Sequence, residues 1–125
     1  MNLKTMLLVN AVVAAIFGIV LVIVPGTVST TYGATANAAS LYMGQVYGAA
    51  LVGFAVLCWF AKGAPESEAR TAIFRALFAF NVVALVVSVV AQLNHVMNAV
   101  GWSAVGIYLV FTLAWAYFLW TKPAA

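Results

Sequence analysis

From Thr5 to Ala61 the chain carries no formal charge, and from Ala76 to Thr121 it again carries none. A soluble fold needs charged groups at short intervals on its surface, roughly a quarter of all residues. Here 6% are charged, 67% are hydrophobic and the mean hydropathy is +1.16. Those values exclude a water-soluble globular domain and a disordered chain alike. Each charge-free stretch has room for two spans of about 20 apolar residues. The length allows one domain, residues 1–125. The net charge of +3 is small and scattered, so no nucleic-acid partner is expected.

Four spans are predicted at about 6–24, 41–60, 71–93 and 101–120. They must be helices, because an open sheet in lipid leaves backbone groups unpaired and the period-2 pattern of a barrel is absent. The expected fold is therefore all-α, an integral membrane four-helix bundle. The first apolar run is longer than the core of a signal peptide, so it reads as a retained span. Pro25-Gly26 is expected to end the first helix, followed by a polar, uncharged connection from Thr27 to Ser40. The third helix is expected to start in water near Pro65, with Glu66 and Arg70 paired at i,i+4.

Lys4, Lys62, Arg70 and Lys122 fall in the N-terminus, the second connection or the C-terminus, and Arg75 lies in the first turns of the third span, beside that connection. In a four-span chain these share one side, and the positive-inside rule makes that side cytoplasmic. Both termini are then inside a cell (inner or plasma) membrane. Trp59 and Trp120 mark the cytoplasmic interface, Tyr42 and Trp102 the opposite one. The halves also resemble each other: Asn10 and Asn81 lie early in an entry span, and Tyr47 and Tyr108 each precede an exit-span Trp by twelve residues. An internal two-helix repeat and convergence on apolar helices both fit this pattern.

The third span carries a polar stripe. Asn81, Ser88, Gln92 and His95 follow at +7, +4 and +3, one face of a helix. Tyr108, Thr112 and Trp115 form a comparable face on the fourth span, and Asn10 and Gln45 can complete a polar interior. Polar groups in lipid need partners, so these residues should face protein or a cavity. A ladder of interhelical hydrogen bonds satisfies that need, and so does a ligand pocket or solute path. Gly44, Gly48 and Gly53 offer a small-residue surface for close helix packing, within the bundle or in a homo-oligomer.

No catalytic residues, metal set or phosphate loop is recognisable. Both glutamates lie in a connection, away from His95, and the lone Cys58 excludes an internal disulfide. No cofactor is expected. His95 as a haem or pigment ligand, or a quinone among Tyr108, Trp115 and Phe78, is the alternative.

Pro25-x-x-Val28-x-x-x-Tyr32-Gly33, followed by Gly44-x-x-x-Gly48-x-x-x-x-Gly53, resembles the pattern of small four-helix bacterial membrane proteins of the DoxX-like group. The resemblance implies a four-helix membrane fold and, for some relatives, a role as membrane subunit of a quinone-linked oxidoreductase. Three functions are expected to compete. The first is a non-enzymatic accessory or assembly subunit of a larger membrane complex. The second is an oligomeric channel or carrier using the third-span stripe. The third is a protein that binds a quinone, lipid or pigment.

Overall fold

The computed structural model describes residues 2–121, and these are helical throughout apart from short connections. Helix α1 spans Leu3–Ile23, α2 Pro25–Tyr32, α3 Ala38–Ala61, α4 Glu68–Leu93 and α5 Gly101–Thr121. Four of them, all but α2, are long and apolar enough to cross a membrane. Lys122, used above for orientation, lies outside the described residues.

The helix starts follow local chemistry. The Asn2 side chain accepts from the Thr5 N–H at 2.8 Å. At α3, Asn37 and Ser40 form a reciprocal capping box. At α4, Ser67 Oγ accepts from the Arg70 N–H at 3.1 Å. Ser67 therefore sets the start of α4, and Pro65 and Glu66 stay in the preceding turn. The expected start near Pro65 is corrected, and with it the i,i+4 relation of Glu66 to Arg70, since Glu66 precedes the cap.

The first connection also differs from expectation. Pro25 opens a new helix as well as ending the old one, because its fixed φ suits a first helical position. Thr30 and Thr31 donate back to the Gly26 and Thr27 carbonyls at 3.0 and 2.8 Å. Gly33 ends α2 in the left-handed conformation, φ 68°, and the Ala34 N–H reaches the Ser29 carbonyl at 2.9 Å.

Two hairpins result. Helices α1 and α3 pack against each other, α4 and α5 likewise, and between the hairpins the main backbone approach is α1 to α5. At the end of the bundle near Leu3 the core is solid: Met6, Leu7, Cys58, Leu77 and Trp115 are fully buried there. Phe74 and Trp115 stack with ring centroids 5.2 Å apart across α4 and α5.

Candidate functional site

Towards the other end the hairpins separate around a cavity of about 250 Å³. It exists because large rings, rather than small residues, span the gap. Phe54 of α3 meets Phe80 of α4 edge to face at 5.0 Å, and Phe80 meets Tyr108 of α5 at 6.1 Å. Rings that touch at their edges hold helices apart and leave volume beside them. Helix α2 contributes Val28 and Tyr32 to the wall, and Met97 adds to it from the connection between α4 and α5. That end is tied together by Asn98, whose N–H donates to the Tyr32 carbonyl at 2.7 Å and whose Nδ2 donates to the Thr31 carbonyl at 3.1 Å.

The cavity wall is mainly apolar and none of its lining residues is charged. Its polarity comes from a few side chains. Asn10, 7% exposed, accepts from Trp115 Nε1 at 3.1 Å, joining α1 to α5. Asn81, 4% exposed, donates through Nδ2 to the Leu77 carbonyl of its own helix at 2.8 Å, and no intramolecular donor is assigned to its Oδ1. Ser88 lines the cavity about two turns further along α4. The Tyr47 and Tyr108 hydroxyls are hydrogen-bonded to each other across α3 and α5.

No family model, curated protein or solved structure matches the chain.

Of the residues singled out by sequence, Asn10, Asn81, Ser88 and Tyr108 converge on the cavity. Trp115 is wholly buried beneath it and serves as the partner of Asn10. The remaining candidates go elsewhere. Gln45 is exposed and donates to the Val22 carbonyl at 3.0 Å, closing the top of the first hairpin. Gln92 is buried, but its Nε2 is engaged by the Asn98 carbonyl at 3.2 Å and its Oε1 has no partner. His95 is corrected most clearly: α4 ends at Leu93, and His95 sits beyond it, exposed, with φ 57°. It is therefore off the helical stripe. Thr112 Oγ1 is buried without a partner and lies outside the cavity wall.

The glycines divide in the same way. A Cβ at Gly48 would fall 2.7 Å from the Gly18 carbonyl oxygen, so α1 and α3 touch there backbone to backbone. Gly44 meets only ordinary contacts at 4.0 Å, and nothing lies within 4 Å of a Cβ at Gly53. The small-residue surface thus works at Gly48, inside the first hairpin, and Gly53 takes no part in it.

Tyr47 was not among the expected site residues, although it stands at the position in α3 that Tyr108 occupies in α5, twelve residues before a Trp. That spacing was the available signal. Asn98 had none, because its role depends on α2 folding back to the α4–α5 connection.

Proposed function

We propose that this chain is a non-enzymatic membrane protein that holds a small, mainly apolar ligand with one polar edge between its two hairpins. A quinone ring or a compact lipid segment has that chemistry. The observation that carries the reading is the cavity of about 250 Å³ with apolar walls and a few placed polar groups. Apolar cavities of about 150 Å³ accept benzene and stay free of water. The larger volume suits a substituted ring, with any tail passing out between the hairpins.

The polar groups match a carbonyl-bearing ring. The tyrosine pair has two O–H donors and needs only one for its mutual bond, which leaves a proton to offer a ligand oxygen. The Asn81 Oδ1 is an acceptor for a ligand hydroxyl. The resemblance to DoxX-like proteins, some of them implied to be subunits of quinone-linked oxidoreductases, supports the same ligand class and an accessory role in a larger complex. A transport role receives less support, because Gln92 is engaged by the Asn98 carbonyl and His95 lies beyond the helix.

Both termini are assigned to the cytoplasm on the distribution of basic residues. A topology reporter inserted at Asn37 that reads as cytoplasmic would reverse that assignment. The matched tyrosines fit duplication of a two-helix unit and convergence on apolar helices alike.

Ligand binding is tested by tryptophan fluorescence of the purified protein titrated with a short-chain naphthoquinone. Saturable quenching that weakens in Asn81→Leu is expected. Linear, unsaturable quenching with unchanged slope in the variant would defeat the proposal.

A further inference from the structure

The charged end of the bundle carries a second concave feature, separate from the cavity. A broad cleft runs between the first turns of α4 and the last turns of α5, and Glu66, Glu68, Arg70 and Arg75 all line it. Phe78, Phe118 and Trp120 form its apolar side. Helix α4 has 26 residues, about 39 Å at 1.5 Å each, and outreaches a hydrocarbon core of about 30 Å. Its first turns therefore stand at the level of lipid headgroups, with Trp120 at the interface as aromatic belts require.

Arg70 is the anomaly in this cleft. It is only 9% exposed, and its guanidinium lies 5.5 Å from the centroid of the Phe74 ring. One nitrogen, Nη1, donates to the Ala64 carbonyl at 3.3 Å, while Nε is buried with no partner. A buried cationic donor without an acceptor is costly and calls for an explanation. An arginine whose Nε edge is unclaimed is built for the planar, two-pronged recognition of a phosphate. The positive end of α4 adds to that preference. Glu66 and Glu68 argue against a purely anionic guest, since two carboxylates face the same cleft as two guanidiniums.

We propose that this cleft holds the headgroup of a zwitterionic aminophospholipid, with the phosphate on Arg70 and Arg75 and the primary ammonium on Glu66 and Glu68. The phosphodiester with its two guanidiniums keeps one positive charge and the ammonium with its two carboxylates one negative charge, so the occupied cleft is neutral overall. A choline headgroup carries no N–H to give the carboxylates, and a glycerol headgroup leaves them without a cation. The acyl chains leave along Phe78, Phe118 and Trp120.

The test is native mass spectrometry of the full chain in mild detergent. Phosphatidylethanolamine, phosphatidylcholine and phosphatidylglycerol with the same acyl chains are offered together, with and without excess inorganic phosphate. Phosphatidylethanolamine should be retained about tenfold over the others, the ratio one charge-assisted contact supplies. Arg70→Gln should abolish that retention. Should Arg70→Gln fail to fold, the exposed pair Glu66→Gln with Glu68→Gln decides, by losing the preference over phosphatidylglycerol while remaining folded. Equal retention of all three lipids, or a preference for phosphatidylglycerol in the unaltered chain, overturns the proposal. Displacement by inorganic phosphate also overturns it, by assigning the cleft to the free ion.

Discussion

An alanine at Gly48 and an alanine at Gly53 add the same methyl group to the same helix, in opposite surroundings. At Gly48 the new Cβ would lie 2.7 Å from the Gly18 carbonyl oxygen and 2.8 Å from Leu21 Cβ, where ordinary contact begins at 3.4 Å. Helices α1 and α3 must move apart by about 0.7 Å, the difference of 3.4 and 2.7, and the atom in the way is backbone and cannot rotate aside. Overpacking of this kind costs about 1–3 kcal/mol. Against it stands the gain of replacing a helical glycine by alanine, about 1 kcal/mol. At Gly53 nothing lies within 4 Å, so only the gain operates. Subtracting one variant from the other cancels the propensity term and leaves the packing term alone, about 1–3 kcal/mol. For a chain of this size each kcal/mol moves Tm by about 4 °C. Thermal unfolding in one detergent, followed by tryptophan fluorescence, should place Gly53→Ala about 4–12 °C above Gly48→Ala. Coincident midpoints would show that α1 and α3 do not meet at Gly18 and Gly48, and would refute the packing of the first hairpin.

Asn10→Ala leaves the Trp115 indole N–H unpaired in the apolar core and should destabilise the fold by about 0.6–1.7 kcal/mol, read as a lower Tm with a shifted Trp emission. Gly33→Ala places a side chain at φ 68°, costing about 1–2 kcal/mol. It also brings a Cβ within 2.7 Å of Asn98 Nδ2, so protease cleavage between α2 and α3 should speed up, while Gly26→Ala, with open space around it, should leave the rate unchanged. Tyr47→Phe combined with Tyr108→Phe removes both hydroxyls of the pair and with them the spare donor, so naphthoquinone binding should weaken severalfold, by about 1 kcal/mol, without loss of fold. Unchanged affinity in that variant would take the tyrosine pair out of the site.

The four long helices were legible because solvation in lipid leaves a charge-free stretch little choice of structure. What escaped was local backbone chemistry. Pro25 reads equally as a stop and as a first helical residue, and only the threonine back-bonds and the left-handed Gly33 decide for a helix. The polar stripe was half legible. Asn81 and Ser88 share a face deep in α4, where the helix is certain to continue, and both reach the cavity. His95 lies at +3 from Gln92, but the helix ends between them, and periodicity has no meaning past the last turn. Gln92 kept its place on the helix and lost its expected role to Asn98, a long-range partner that spacing cannot show.

The contrast between the two ends of the bundle follows from where its small residues were placed. Gly18 and Gly48 are used within the first hairpin, drawing α1 and α3 into backbone contact. Between hairpins, near Leu3, the surfaces present Met6, Leu7 and Leu77, flexible side chains that fill space, together with the Phe74–Trp115 stack. Further along, the surfaces present Phe54, Phe80, Tyr47 and Tyr108, rigid rings that meet edge to face, in one stacked pair (Tyr47 and Phe80, 6.4 Å) and at one hydroxyl pair. Flexible chains can collapse onto one another, whereas rings braced in this way cannot without breaking the tyrosine bond. The cavity is thus a property of the interface between hairpins and not of either hairpin. A substitution that fills it, such as Ala104→Leu on its wall, should stabilise the protein thermally while abolishing ligand binding. A purely structural cavity would show the first effect and no second one, because there would be no saturable binding to lose.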